Sequence, residues 1–234
     1  MTSLLVAATP EEAARISSER LLSVIGDARN ARGAAHIALA GGETPRLTYE
    51  VLAAAIDDWT GVEIWFGDER AVGPDDPESN YRMAQETLLT GESGPDVHRI
   101  EGERGPEDGA AAYAALLEQR LPVEAGVPVL DLALQGLGPD GHTASLFPGN
   151  PAVEARGICV AVHDAPKPPP DRITLTVPVL RAARSIVFLA TGSEKADAVR
   201  RLLAGPDPAV PSSLLGGERT EVIADRAAAP ADSS

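Results

Sequence analysis

One cysteine, a 3% aromatic share and only two lysines among 20 basic residues are the first constraints this 234-residue chain imposes. A lone Cys159 excludes an internal disulfide, and its place in the short apolar run Ile158 to Val162 fits a buried, inert thiol. Scarce aromatics mean that the core must be aliphatic. No apolar run approaches the ~20 residues needed to cross a membrane. No basic-then-apolar leader pattern opens the chain, so the expected location is cytoplasmic. Positive charge is also short: the formal net charge of −15 argues against nucleic acid or an anionic membrane as partner. It leaves open a small phosphorylated ligand, which feels mainly the field of its own pocket. HExxH, CxxC and paired-histidine spacings are all missing, so no metal site is expected. No lysine follows a glycine loop as in a P-loop, and Ser145 sits outside any nucleophile-elbow pattern.

What is present alternates. Strands are expected at Leu4–Ala8, His36–Ala40, Val62–Phe66, Val97–Ile100, from Leu130, and at Gly157–Val162, Arg172–Val177, Ser185–Ala190 and Thr220–Ala224. Helices are expected from Pro10 to about Arg32 with Thr9 as N-cap, and from Pro45 to about Asp58 with Thr44 as cap. Further helices follow at Ser79–Leu89, Pro106 to about Leu121 and Ser193–Leu203. This predicts an α/β fold: a doubly wound, mostly parallel, Rossmann-like sheet with helices on both faces. One domain over residues 1–226 is expected, followed by a frayed Ala/Pro/Ser tail over 227–234.

The most informative stretch is Leu130 to Gly149, LDLALQGLGPDGHTASLFPG. A buried strand empties into a glycine-crowded turn that delivers His142 just past its carboxyl end, where open α/β sheets bind ligands. A histidine there can serve as a base near neutral pH. Asp140, two residues earlier, either orients the imidazole or braces the turn. Gly136 to Gly141 also matches the dinucleotide pattern G-x-G-x-x-G letter for letter. That reading requires a long helix after the last glycine, yet Pro148-Gly149 stops the chain within two turns. Close approach of backbone to a small ligand explains the glycines better.

Two other strand tips carry chemistry. Gly41 and Gly42 precede Thr44 and Pro45, making a helix N-terminus suited to an anion. Gly67-Asp68-Glu69-Arg70 follows the third strand, and Arg70 is a natural donor to a phosphate or an oxyanion. In a parallel sheet the three tips share one edge. Lys167 and Arg172, five apart in a proline-stiffened loop, suggest an anion clamp, and Lys195 near a helix start is a further candidate. His36 and His98 look structural or superficial, and His163 beside Asp164 is a second acid–base candidate.

Together, LALAGGETP, WFGDERAV with Ser79-Asn80-Tyr81, GLGPDGHTASLFPG and PKPPPDRITLTVPVL resemble the 6-phosphogluconolactonases of the glucosamine-6-phosphate isomerase/6-phosphogluconolactonase superfamily. The resemblance spans nearly the whole chain, and Ser145-Leu146-Phe147-Pro148 fits the lactonase branch. It implies hydrolysis of 6-phospho-D-glucono-1,5-lactone, no redox cofactor, no required metal, and a monomer whose partner is the sugar lactone. His142, Asp140 and Arg70 are then the catalytic candidates. Gly41, Gly42, Thr44, Asp68, Lys167, Arg172 and Lys195 are the binding candidates. Two other readings stand: an isomerase/deaminase using Asp68 and Glu69 for proton transfer, and a silent sugar-phosphate binder.

Overall fold

A computed structural model of the chain describes residues 1–90 and 94–230. Strand β1 (Ser3–Ala7) leads into helix α1 (Pro10–Arg32). The Thr9 hydroxyl accepts a hydrogen bond from the Glu12 amide, Pro10 occupies the first turn, and Gly33 ends the helix at φ +82°. Next come β2 (Ala35–Leu39), α2 (Glu43–Ala55), β3 (Val62–Phe66), β4 (Asp68–Arg70), α3 (Asn80–Thr87) and β5 (Asp96–Val97). Helix α4 (Pro106–Arg120) is followed by the hairpin β6 (Val123–Glu124) and β7 (Val127–Pro128), then β8 (Leu132–Gly136). The chain finishes with β9 (Cys159–Val162), β10 (Arg172–Leu175), α5 (Val177–Ala182), β11 (Ser185–Ala190), α6 (Ala196–Leu203) and β12 (Thr220–Asp225).

Seven strands form one sheet in the order β1-β12-β11-β8-β2-β3-β5. Every neighbouring pair in it is parallel. All five residues of β2 are buried, as expected where both faces of a parallel strand are covered. From β2 the sheet proceeds outward through β3 and β5, and from β8 it proceeds the other way through β11, β12 and β1. The β2–β8 junction is therefore the topological switch point, where α/β sheets open a crevice at the strands' carboxyl ends. Their pairing covers only Ile37–Leu132 and Ala38–Ala133, and the two strand ends continue beyond it.

The core is aliphatic around a few large rings, with Trp65, Tyr49, Phe66 and Phe188 fully buried. Two buried phenols act on strand ends. Tyr49 donates to the Ala40 carbonyl at 2.7 Å and accepts from the Ala40 amide at 2.9 Å. Tyr113 does the same for Phe66, accepting from its amide at 2.8 Å and donating to its carbonyl at 3.2 Å. Each hydroxyl thus fixes the last residue before a loop that leads into the crevice.

The structure corrects several expectations. The Gly67–Arg70 tip is not a turn: Asp68–Arg70 is a strand in a separate antiparallel sheet, β4-β10-β9. The strand expected over Arg172–Val177 stops at Leu175, and Val177 begins α5. The helix expected over Ser193–Leu203 divides into a 3₁₀ turn, Ser193–Lys195, and α6. Thr44 does not cap α2; Gly42 does, at φ +100° and with no side-chain hydrogen bond. Nor is Ala227 the start of fraying, because Ala228 is fully buried and its amide donates to Asp225 Oδ1 at 2.8 Å. The rest of the expected tail, 231–234, lies outside the described residues.

Candidate active site

A cavity of about 340 Å³ occupies the switch point. It gathers the β2 tip (Ala40 to Pro45), Asp68 and Arg70 of β4, the β8 exit (Gly136 to Gly138) with His142, and Lys167, Arg172 and Lys195. Of the residues expected for the lactonase site only Asp140 is not on its wall; it lies against His142.

The β8 turn positions the imidazole. His142 Nδ1 lies 2.5 Å from Asp140 Oδ1, and the same oxygen accepts the His142 backbone amide at 3.1 Å. Gly138 donates its amide to the His142 carbonyl at 2.9 Å, and a side chain at Gly138 would run into the ring itself. The ring packs against Phe147 at 4.7 Å between centroids. Burial pushes the His142 pKa down, partly offset by the Asp140 charge. A neutral imidazole with Nδ1 engaged by a carboxylate leaves Nε2 able to accept a proton. No helix follows Gly141, so the dinucleotide reading fails.

Asp68 forms the opposite wall. It is buried, accepts the Ser145 hydroxyl on Oδ2 at 2.6 Å, and takes the Asn80 amide on Oδ1 at 3.2 Å. Ser145 is thus a support for Asp68 rather than a nucleophile. Glu69, the next residue, points away. It accepts the amides of Arg70, Asn80 and Tyr81 at 2.7–2.8 Å and the Ser79 hydroxyl at 3.0 Å, thereby capping α3. Glu69 does not line the cavity, which removes the second proton-transfer group that an isomerase reading needs.

The cations are arranged unusually. Arg70 and Arg172 are register partners on β4 and β10, directly opposite one another. Like charges so placed repel unless an anion sits between or beside them. Arg70 donates to the Glu78 carbonyl, while its buried Nε has no partner among the described residues. Arg172 stacks on Phe147 with 5.6 Å from its guanidinium carbon to the ring centroid. It also donates to the carbonyls of Lys167 (3.0 Å), Pro168 (3.4 Å) and Pro169 (3.1 Å). So Arg172 is not only a free clamp; it braces the loop that presents Lys167. Lys195 donates to the Leu137 carbonyl at 2.7 Å, and burial lowers its pKa. At the β2 tip, α2 begins without a side-chain cap, leaving its first amides free to meet an anion.

His163 lies outside this cavity, exposed between Asp171 and Glu107 at 2.8 Å each. Cys159 is buried, and its thiol is pushed up to about 12, so it is no nucleophile. His36 and His98, expected to be ordinary, are buried beside Glu63 at the opposite end of the sheet from the cleft. Sequence reasoning missed Asn80, Ala144, Phe147 and Glu194 as cavity-lining residues. Asn80 was visible within the Ser79-Asn80-Tyr81 motif, but its role depends on β4, a strand no pattern announced.

Residues 8–224 match the family described as glucosamine-6-phosphate isomerases/6-phosphogluconolactonase. The chain belongs to this family. Within it, a 6-phosphogluconolactonase of Streptomyces coelicolor is 40% identical over 244 residues, covering 97% of this chain and 93% of that protein. The crystal structure of 6-phosphogluconolactonase from Leishmania guyanensis superposes with a TM-score of 0.87 at 31% identity, covering 100% of both chains. A monomeric glucosamine-6-phosphate deaminase shares the fold at a TM-score of 0.82 and 22% identity, covering 97% of this chain and 98% of its own. The family's fold thus hosts more than one chemistry, and residues in the cleft must distinguish them.

Proposed function

We propose that the chain hydrolyses 6-phospho-D-glucono-1,5-lactone to 6-phosphogluconate, the second step of the oxidative pentose phosphate pathway, in the cleft around His142. The observation that carries this reading is the pairing of one oriented, neutral imidazole with four cations in a single cavity of a strongly acidic protein. A lactone is already electrophilic, so a base and a charge stabiliser suffice.

In this reading water attacks the lactone carbonyl carbon as His142 Nε2 takes its proton. Asp140 holds Nδ1–H and stabilises the imidazolium that forms. Arg70, on the cavity wall, faces the developing oxyanion. Collapse of the tetrahedral intermediate breaks the ring C–O bond, and the imidazolium returns its proton to the departing ring oxygen. Lys167 and Arg172 hold the 6-phosphate, with Lys195 adding to the field. Gly41, Gly42 and Thr44 offer the amides at the start of α2, and Asp68 orients sugar hydroxyls. No redox step occurs, so no redox cofactor is called for. The enzyme acts as a cytoplasmic monomer without nucleic acid or membrane, and the chain through Ala228 forms one catalytic unit.

The test is turnover of the phosphorylated lactone against the spontaneous rate in the same buffer. His142→Ala should lower kcat by roughly 10²–10⁴-fold with the fold intact. Near-normal turnover in that variant would remove His142 from the mechanism. Ammonia release from glucosamine 6-phosphate would instead favour the isomerase branch, and substrate binding without turnover a silent binder.

A further inference from the structure

At the opposite end of the sheet from the cleft, strand register assembles a second cluster. On β2, β3 and β5, His36 pairs with Glu63 and Glu63 pairs with Asp96, so the three side chains form one row. Side chains in such a row share a face of the sheet. His98 lies two residues past Asp96, on the same face, with its amide held by the Ile64 carbonyl at 2.8 Å. The result is one imidazole and two carboxylates around one point, with the second imidazole, His36, beside Glu63. His98 Nε2 lies 2.8 Å from Glu63 Oε2 and 3.5 Å from Asp96 Oδ2. One ligand atom each of Glu63, Asp96 and His98 falls within 4.8 Å of the others. His36 Nδ1 lies 3.6 Å from Glu63 Oε2.

An independent observation points to a ligand here. His36 is 8% exposed, and its Nδ1 is buried without a hydrogen-bond partner, although it faces Glu63. A buried nitrogen left this way carries a desolvation cost that a bound cation removes. We propose that Glu63, Asp96 and His98 form a binding site for a divalent transition-metal ion of the zinc class, with His36 turning in from beside Glu63 as fourth donor.

The donor chemistry suits that class: imidazole nitrogen and carboxylate oxygen bind zinc at about 2.0–2.2 Å, which for a tetrahedron spaces ligand atoms roughly 3.3–3.5 Å apart. Within the trio, His98 Nε2 lies 2.8 Å from Glu63 Oε2 and 3.5 Å from Asp96 Oδ2, on either side of that value. The ion replaces the proton shared by His98 and Glu63, which passes to solvent. Arg120 of α4, 2.7 Å from Asp96 Oδ2, pairs with the same oxygen that faces His98, so the ion displaces it there. Asp131 Oδ2 accepts the His36 backbone amide at 2.9 Å and steadies that strand. A recess of about 420 Å³ lined by Glu63 and Asp96 gives an entry path. Trp65 stacks on His98 with ring centroids 4.2 Å apart, so it reports on the site.

The experiment is titration of chelator-treated protein with Zn²⁺ by calorimetry and with Co²⁺ by tryptophan fluorescence, using Trp59→Phe to isolate Trp65. One equivalent should bind with micromolar affinity and quench Trp65. Glu63→Gln, His98→Gln and His36→Gln should each weaken binding by at least about tenfold, as loss of even supporting partners does. His142→Asn should leave binding unchanged, and Glu63→Gln should retain lactone hydrolysis. No binding below millimolar metal overturns the proposal. So does binding that survives Glu63→Gln and His98→Gln together, or that vanishes with His142→Asn. Should these variants fail to fold, anomalous diffraction at the zinc edge from soaked wild-type crystals decides. A peak between Glu63 and His98 supports the site, and peaks only elsewhere refute it.

Discussion

The Lys167 ammonium lines the cleft yet has no hydrogen-bond partner among the described residues, in contrast to Lys195, whose ammonium is already bonded to Leu137. Its backbone carbonyl is what Arg172 holds, so Lys167→Ala removes the charge while leaving that bond in place. A charge-assisted hydrogen bond to phosphate contributes about 1.5–3 kcal/mol, or one to two decades in affinity. KM for the phosphorylated lactone should therefore rise by that factor while kcat changes little. Hydrolysis of unphosphorylated gluconolactone should be nearly unaffected. A second readout is independent of phosphate: the positive field of Lys167 contributes to lowering the His142 pKa. Its removal should move the acid limb of the kcat/KM profile to higher pH on both substrates. Steady-state kinetics on the two lactones across pH 5–8, with spontaneous hydrolysis subtracted, measures both effects. Equal losses on both substrates, or an acid limb moved downward, would refute this placement of Lys167.

Asp140→Asn keeps an acceptor for Nδ1–H but loses the charge that stabilises the imidazolium. Expected are a kcat about 10–100-fold lower and an acid limb moved to lower pH, measured in the same assay. Tyr113→Phe strips the hydroxyl that serves both the amide and the carbonyl of Phe66; about 1–3 kcal/mol of stability should go, read as a Tm several degrees lower. His36 and His142 both have pKa values lowered by burial, so between those values and about 6.5 the unfolded chain binds more protons. Their contribution to stability is thus full above that window and is lost as pH falls through it; urea melts in chelator at pH 7.5 and 5.5 should show the difference.

The sequence made some of this plain and hid the rest for identifiable reasons. Val62–Phe66 and Ser185–Ala190 are apolar runs bounded by polar or glycine signals, and the observed strands match them residue for residue. Thr9-Pro10 and Gly33 likewise bound α1. The Asp68–Arg70 strand was illegible because three consecutive charges contradict strand patterning. They are tolerated there because Asp68 and Glu69 have their oxygens occupied by Ser79, Asn80, Tyr81 and Ser145. The hairpin was signalled only by Ala125-Gly126, both at positive φ, between strands of two residues each. His142 and its turn were legible because local sequence builds them. The His36–Glu63–His98 cluster was not, since only lateral strand register brings those residues together.

The three carbonyls that Arg172 holds belong to the loop carrying Lys167, and this fixes an order in which the cleft can change over evolutionary time. Loss of Lys167 leaves Arg172 under full selection, because the guanidinium still secures the loop and still faces Arg70 across the β4–β10 pair. Loss of Arg172 releases the loop, and Lys167 then contributes little at its old position, so it is free to drift. Epistasis between the two is therefore one-sided. Lineages can lose the lysine and regain it, whereas losing the arginine first closes the way back.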